Sequence, residues 1–524
     1  MSFDLVIRRA TVHAGDGSPG ESADVGIADG VIRTVAPSLA DTTAAEVIEG
    51  NGLLLCPGFI DLHAHSALAP FDDPLLAPKI GQGFTTEVVN PDGLGPAPVP
   101  ETRWADRRDY LRPLEGGGPD PWPWTTIAEY LDALDAARPA MSLVASVPHG
   151  AVRDVVLGGG DIAPTTAQLD AMRREVRLGF EAGARMLSFG LVYLPGAYAA
   201  TEELVAFARE AAAVGAPLVP HVRNEGAGLL DAVQEMIGVA RASGASVHIS
   251  HLKSLGDERL VEPLLELLDE ASRNHDVTFD QYPYGAGSTL LASVLPAWAQ
   301  EGGSAATLAR LDDAEQRRRM AADIENGIPG WENILGTLGS ERIEIANAAA
   351  PNEGAVGRTL AAVADERAAD PLATTLDLLV ESSLDVTMIL HYASDEAVRQ
   401  IATHRLQLVG SDGIFGARPH PRLYATAARF LGRFVIREGL LPVEEAIARL
   451  TGRAAARLGL VDRGVIEPTR RADLVLLDPT TYVDTATYAE PVQSPPGVVG
   501  VWVAGRRVWR DGAPTGERPG GVVR

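Results

Sequence analysis

The chain has 524 residues, of which 46% are hydrophobic, so it can bury a large core and hold an enlarged domain beside a smaller one. The 70 acidic residues outnumber the 45 Lys and Arg residues, giving a net charge of −25. This balance argues against a nucleic-acid partner, because phosphate binding needs clustered basic residues. The only cysteine, Cys56, excludes an internal disulfide and a zinc site built from cysteines.

The first 57 residues predict strands. DLVIRRATV, DVGIADGVIRTV and AEVIEGNGLLL are short β-like runs separated by turn sequences that contain glycine. They predict the N-terminal part of a small β-sandwich over residues 1–57. The start of the chain lacks a long apolar run behind a basic segment, so we expect no signal peptide. No run approaches the roughly 20 apolar residues of a membrane span, and a cytoplasmic protein is expected.

Residues 58–457 alternate apolar strands with amphipathic helices. TTAQLDAMRREVRLGFEAG and TEELVAFAREAAAVG, for example, have helical spacing of apolar residues and end at glycine. Eight strands that alternate with helices predict an α/β catalytic domain, a (β/α)₈ or TIM barrel. The predicted strands are 58–63, 85–90, 142–148, 186–191, 217–222, 246–251, 277–282 and 406–411.

The alternation is interrupted at about 290–375, where helices and loops predict an insertion before the last barrel strand. A strand-like run at 386–392, VTMILHY, has no assigned place. Beyond the barrel, β-like runs return in ADLVLLD and VVGVWVAGRRVWRDG. We therefore predict that residues 458–524 complete the β-sandwich, so that this domain is built from both chain termini.

Histidines and an aspartate end several of the predicted strands. His63 and His65 end the first strand, and side chains two apart on a strand point the same way. His221, His251 and Asp412 end three later strands. Catalytic residues of a barrel come from the C-terminal ends of its strands, so these five side chains should meet. One such histidine is more often an ordinary core or surface residue, but four together favour a metal site.

These residue types suit hydrolysis. Neutral imidazoles and a carboxylate bind Zn²⁺ or a similar divalent ion and leave one position open for water. The ion lowers the pKa of that water toward about 7, which makes hydroxide available. A carboxylate beside that water can accept its proton and pass it to a departing amine.

The chain resembles the amidohydrolase superfamily, and within it the N-acyl-D-amino-acid deacylase (D-aminoacylase) family. The likeness covers nearly the whole chain, and SHLKS, YPY and PHPR are the pieces typical of this family. Other shared blocks are PGFIDLHAHS, GFTTEVV, SFGLVYLPGAYAATEEL, PHVRNE, GSDG and GLVDRGVIEPTRRADLVLLDP. The resemblance implies one or two zinc ions, a small N-acyl-D-amino acid as substrate, and Asp412 as the proton shuttle. The implied metal ligands are His63, His65, His221, His251 and Asp412.

One position departs from that family. The loop after the second strand usually carries a cysteine between Asn and Gly, whereas this chain has Asp92 there. A carboxylate can also bridge metals, although it is harder than a thiolate, so we predict that Asp92 is a ligand. Glu87 is a weaker candidate for a metal ligand, and a buried ion pair is an equally good interpretation.

Hydantoinases, dihydroorotases and isoaspartyl dipeptidases resemble this chain but use a carboxylated lysine on the fourth barrel strand. The fourth strand of this chain, RMLSFGL, has no lysine, so the sequence argues against these three classes of enzyme.

The resemblance also implies a set of residues around the substrate's carboxylate. A fixed cation with hydrogen-bonding phenols suits this group. For Arg422 a structural ion pair with a barrel acid is the alternative. The predicted substrate-binding residues are Lys253, Tyr193, Tyr284, Arg422 and Ser288.

Three other functions stay open. N-carbamoyl, D-peptide or cyclic amides are alternative substrates, and the D configuration rests on the resemblance alone. A deaminase is suggested by Glu225, four residues after His221, although deaminases use a shorter spacing. A non-catalytic relative should lack a full ligand set, whereas this chain keeps all of it except the cysteine.

Overall fold

A computed structural model of the protein describes residues 2–40 and 42–524. Within these residues, eight parallel strands follow one another in chain order, and helices lie between them, which confirms the predicted TIM barrel. The backbone N–H of Leu62 donates to the carbonyl of Val409 at 3.2 Å, linking the first and last strands. The barrel strands are β1 (Phe59–Asp61), β2 (Phe84–Val89), β3 (Ser142–Pro148), β4 (Met186–Gly190), β5 (Leu218–His221), β6 (Val247–Ile249), β7 (Val277–Gln281) and β8 (Gln407–Val409).

The helices around the barrel begin where the sequence offers caps. The helix Thr166–Glu181 starts at a capping box in which Thr165 and Gln168 satisfy each other's backbone N–H groups. No helix of the described residues has both the length and the apolar character needed to cross a membrane. The helices are Ala69–Asp72, Ala77–Ile80, Trp104–Glu115, Ile127–Ala137, His149–Leu157, Thr166–Glu181, Thr201–Val214, Leu229–Ser243, Val261–Ser272, Asp395–Ala402, Arg422–Ala427, the π-helix Ala428–Arg437, Val443–Leu450 and Gly452–Arg457.

The two chain termini share one sheet. It folds over an apolar core that includes Ile7, Leu474 and Trp502. Main-chain hydrogen bonds join the two ends of the chain, because the strand Leu54–Pro57 pairs with both Ser2–Val12 and Leu474–Leu477. In the described residues the strand order is Ala513–Pro514, Arg506–Arg510, Val498–Val503, Leu474–Leu477, Leu54–Pro57, Ser2–Val12, Glu21–Ala28 and Val31–Ala36, with Thr43–Glu49 also paired to Ser2–Val12.

The last residues of the chain leave this sheet, unlike the predicted domain over 458–524. Gly521–Val522 pairs in parallel with the start of β3 at Ser142 and Leu143. The pairing of β4 with β3 begins only at Ser146, so the first residues of β3 have backbone groups that β4 does not reach. The C-terminal segment supplies hydrogen bonds there, which satisfies an otherwise open strand edge.

An inserted subdomain lies between β7 and β8. Its sheet is antiparallel, so the insertion begins earlier and ends later than the predicted 290–375. The previously unassigned run at 386–392 forms the central strand, Val386–His391, between Ala286–Leu290 and Ile343–Ala348. The insertion's helices are Ser304–Asp312, Ala314–Asn326, Ile334–Leu338, Leu360–Arg367 and Pro371–Glu381.

A buried ion cluster joins the first and last barrel strands. Asp61, on β1, accepts the backbone N–H of Ser411 at 2.7 Å and its hydroxyl at 2.5 Å. Nζ of Lys79 lies 2.7 Å from Oδ2 of Asp61 and 3.5 Å from Oε2 of Glu87, which places Glu87 in the ion pair that the sequence left open. Burial favours a lower pKa for Lys79, but the two carboxylates outweigh it and raise that pKa, so the ammonium stays charged.

Replacing Lys79 tests this cluster. Lys79→Met keeps the side-chain volume but leaves two buried carboxylates without their cation, so the free energy of unfolding should fall by about 3–5 kcal/mol in urea titrations followed by circular dichroism. Arg33→Met is the matched control, because it breaks the exposed 2.9 Å pair with Asp29, and such surface pairs contribute about 0–1 kcal/mol. Equal stability of Lys79→Met and the wild type would contradict this account.

Candidate metal centre

The C-terminal ends of five barrel strands bring the predicted metal ligands into one volume. Each of these side chains is buried, although they span some 350 positions of the chain. They stand at strand ends because the barrel directs the C-terminal ends of all its strands to one face. The six are His63 and His65 after β1, Asp92 after β2, His221 on β5, His251 after β6 and Asp412 after β8.

Asp92 lies between two pairs of histidines. Its Oδ2 is 3.5 Å from Nε2 of His63 and 3.4 Å from Nε2 of His65. The same oxygen lies 3.8 Å from Nδ1 of His221, and Oδ1 is 3.5 Å from Nε2 of His251. One carboxylate thus occupies the bridging position between two sets of imidazoles.

Asp412 stands beside the first histidine pair. Its Oδ1 is 3.3 Å from Nε2 of His65 and 3.7 Å from Nε2 of His63. Its other oxygen lies 2.9 Å from Nη1 of Arg422. Burial favours a higher pKa for Asp412, but the Arg422 guanidinium and the neighbouring imidazoles outweigh it and hold that pKa far below its usual range. The carboxylate is therefore ionised.

Several of these groups lack a protein partner. Both ring nitrogens of His63, both of His221 and Oδ1 of Asp92 are buried without a hydrogen bond to any described residue. Buried polar atoms are rarely left in this state, because it costs free energy. Three overlapping sets of three residues can be drawn from these groups, and within each set the three ligand atoms lie within 4.8 Å of one another. Imidazoles and carboxylates at this spacing fit a divalent metal such as zinc.

The backbone at three of these residues adopts an uncommon conformation. The φ angles of Asp92, His251 and Asp412 are +55°, +34° and +50°, in the left-handed region that side chains with a Cβ rarely occupy. Such conformations persist only where surrounding contacts enforce them, and they concentrate at functional sites. Gly190 allows the Asp92 backbone to approach β4: a Cβ there would lie 1.8 Å from the carbonyl oxygen of Asp92, so only glycine permits this close approach.

Two further carboxylates position the histidines, and neither was predicted from the sequence. Glu115 accepts the backbone N–H of Ala67 at 2.8 Å, and its other oxygen lies 2.6 Å from Nδ1 of His65. Asp280 accepts the backbone N–H of His251 at 2.9 Å. Asp280 lies on β7, near its C-terminal end, so the strand-end rule could have found it. Glu115 ends a helix and carries no local signal.

A cavity of about 420 Å³ opens above these groups. Its walls come from the loops after β4, β5 and β6 and from the insertion, and they include Tyr193, Lys253 and Ser288. The Tyr193 hydroxyl is hydrogen-bonded to the Thr289 hydroxyl at 2.9 Å, and Nζ of Lys253 lies 2.6 Å from Oε1 of Glu225. A larger cavity of about 780 Å³, at the opposite end of the barrel, contains none of the six groups.

Two of the predicted substrate-binding residues are placed differently from expectation. Tyr284 does not line the cavity, because its ring packs against His420 and Arg429; Tyr282, two residues earlier, lines it instead. Arg422 is fully buried behind the cavity wall, where it forms the ion pair with a barrel acid that was the alternative interpretation. The Arg422 guanidinium therefore contacts the Asp412 carboxylate and does not line the cavity.

The chain is similar to known proteins over nearly its whole length. The amidohydrolase family model matches residues 46–509. The chain is 32% identical to D-aminoacylase of Alcaligenes xylosoxydans xylosoxydans over 99% of this chain and 97% of that protein, and 33% identical to N-acyl-D-glutamate deacylase of the same organism over 100% and 96%. The solved N-acyl-D-glutamate deacylase of Bordetella bronchiseptica, complexed with zinc and a phosphonate mimic of the tetrahedral intermediate, superposes with a TM-score of 0.86 at 31% identity and covers 100% of both chains. The chain is therefore a member of the amidohydrolase family, in the group that contains D-aminoacylase and N-acyl-D-glutamate deacylase.

Proposed function

We propose that the chain is a zinc-dependent hydrolase that removes the acyl group from N-acyl-D-amino acids, releasing a carboxylate and a D-amino acid. The observation that carries this proposal is the Asp92 carboxylate between two histidine pairs, on the floor of a cavity of small-molecule size. A cavity of this volume lies in the usual range for small ligands. The similar proteins are named D-aminoacylase and N-acyl-D-glutamate deacylase, and these names indicate cleavage of an amide C–N bond outside a peptide chain. The proposal assigns cleavage of the same type of bond to this chain.

The metal would be held by residues already within reach of one another. Asp92 belongs to both sides of the centre, so the arrangement suits one or two zinc ions. When bound, a zinc ion supplies Lewis acidity, which polarises a carbonyl and acidifies water. The proposed ligands are His63, His65, Asp92, His221, His251 and Asp412.

Asp412 is the proposed acid–base residue. It is ionised, lines the cavity and stands at the centre, so it can accept a proton from water and return it to the leaving nitrogen. The guanidinium of Arg422 fixes one of its oxygens and leaves the other facing the histidines. Arg422 is thus a positioning residue for this step.

The cavity wall supplies groups for the rest of the substrate. Burial and the nearby Asp92 raise the pKa of Tyr193 well above its usual value, so its hydroxyl stays protonated and can donate to a developing oxyanion. Lys253, Ser288 and Tyr282 line the same cavity and are the proposed partners of the substrate's carboxylate.

Replacing the acid–base residue should slow the reaction itself. Asp412→Asn keeps the shape of the side chain but cannot accept the proton, so kcat should fall by about 10²–10⁴-fold, measured with N-acetyl-D-methionine. Metal analysis should still find zinc, because five ligands remain. Asp161→Asn, at an exposed acid on the rim of the same cavity, is the control with normal turnover. Wild-type kcat in zinc-loaded Asp412→Asn would remove Asp412 from this role.

Removing the carboxylate behind His65 should weaken metal binding. In Glu115→Ala the imidazole loses the partner that orients it, so zinc affinity should fall by roughly 10–100-fold in isothermal titration calorimetry. Glu101→Ala, at an exposed glutamate shortly before the same helix, should bind zinc as the wild type does. Unchanged zinc affinity in Glu115→Ala would show that the 2.6 Å contact does not support the metal.

The reaction class is tested by a substrate screen before and after chelation. N-acetyl-D-amino acids should be cleaved, whereas their L enantiomers, N-carbamoyl amino acids and dipeptides should react far more slowly, as measured by release of the free amine. Prolonged chelation should abolish turnover and lower the thermal unfolding temperature, and added zinc should restore both, because a ligand of the native state stabilises it. Full activity of the metal-free protein, or a preference for L substrates, would contradict the proposal.

A further inference from the structure

The insertion contributes an acid to the wall of the cavity at the metal centre. Residues 328–332 and Ile334 line this cavity, and Glu332 is the only charged residue among them. Glu332 is 8% exposed, and its Oε1 accepts the backbone N–H of Glu225 at 2.5 Å. No cation of the described residues forms an ion pair with it. When ionised, a buried carboxylate without a cation repels a second negative charge, so it disfavours acidic groups in the cavity.

The cations in the cavity wall are already engaged. Arg223 holds Glu235 with Nε and Nη2, at 3.1 and 3.2 Å, and its Nη1 donates to the carbonyl of Ala197 at 2.9 Å. Lys253 is bound to Glu225 and is the proposed partner of the substrate's α-carboxylate. A second carboxylate on the substrate would therefore find no unengaged cation in the described wall of this cavity.

The rest of the wall combines an apolar part with neutral hydroxyl and amide groups. Burying an apolar substrate side chain against such a surface is favourable, and the apolar stem of a lysine side chain would pack there equally well. An acidic side chain would lose its hydration without gaining a cation, because the other polar groups of the wall are neutral Ser, Thr, Tyr and Gln side chains and the Asp161 carboxylate. The apolar lining includes Leu191, Leu255, Leu295, Ile328, Trp331 and Leu390.

We propose that Glu332 is a specificity-determining residue that excludes acidic side chains, so that the enzyme acts on neutral and basic N-acyl-D-amino acids. This inference rests on the proposed deacylase function. Sequence identity does not make this distinction, because the chain is 32% identical to D-aminoacylase and 33% identical to N-acyl-D-glutamate deacylase. Burial and the neighbouring Glu225 raise the pKa of Glu332 to about 7, so its carboxyl is mostly ionised in mildly alkaline solution.

The test compares substrates that differ only in side-chain charge. At about pH 8.5, where Glu332 is ionised, kcat/KM of the zinc-loaded enzyme should be at least roughly tenfold higher for N-acetyl-D-leucine and N-acetyl-D-lysine than for N-acetyl-D-glutamate.

Glu332→Gln removes the charge and should raise the glutamate-to-leucine ratio of kcat/KM by about tenfold. Glu332→Asp keeps the charge and should retain the wild-type ratio. Asp161→Asn removes an exposed, solvent-screened acid from the same cavity and should change the ratio less than about twofold.

Equal kcat/KM for acidic and neutral substrates in the wild type, or an unchanged ratio in Glu332→Gln, would overturn the inference while leaving the deacylase function intact. If no N-acyl-D-amino acid is turned over, the proposed function fails, and binding still tests selectivity. Isothermal titration calorimetry of zinc-loaded Asp412→Asn should then give a lower Kd for N-acetyl-D-leucine than for N-acetyl-D-glutamate. Glu332→Gln in that background should narrow the difference, and equal Kd values for the two compounds would again overturn the inference.

Discussion

Four imidazoles and two carboxylates are buried together at one end of the barrel, and this concentration of polar groups is the constraint on which the rest of the site depends. Ring nitrogens of His63 and His221 and one oxygen of Asp92 have no hydrogen-bond partner in the described part of the chain. Burying these atoms without partners would cost the free energy of several hydrogen bonds. One or two divalent ions would relieve this conflict, because they would accept a lone pair from one ring nitrogen of each histidine and from the Asp92 carboxylate. Asp92 is the central member, since its two oxygens face both histidine pairs.

The barrel imposes the positions of these groups through contacts that do not involve the proposed ligand atoms. The Lys79 cluster joins β1 to the residues after β8, so it sets His63 and Asp412 relative to each other. The close approach of Gly190 and Asp92 does the same for β2 and β4. The uncommon φ angles of Asp92, His251 and Asp412 are backbone strain that a rigid scaffold can maintain at a preorganised site.

Much of the fold and most of the centre could be predicted from the sequence, because both depend on local patterns. Strand ends are readable from apolar runs, and His63, His221, His251 and Asp412 each follow such a run. Arg422 and Tyr284 were harder to place: whether a side chain faces the cavity or the core depends on tertiary packing that short motifs do not encode. Glu115 and Glu332 belong to helix and loop segments without strand-end signals, and only the folded chain brings them to the centre.

The barrel and the insertion contribute different parts of the site. Family membership and substrate preference therefore have different structural sources. The strand ends hold the metal ligands, whereas the insertion between β7 and β8 supplies much of the cavity wall. Catalytic chemistry therefore follows from the barrel, and selectivity follows from side chains such as Glu332 on the inserted segment.

The most direct test of the central claim is anomalous X-ray scattering from crystals of the zinc-loaded protein, recorded on both sides of the zinc absorption edge. We expect the anomalous density to lie at Asp92, bounded by His63 and His65 on one side or by His221 and His251 on the other, or to occupy both positions. Zinc density confined to other parts of the molecule, with these side chains uncoordinated, would contradict the account.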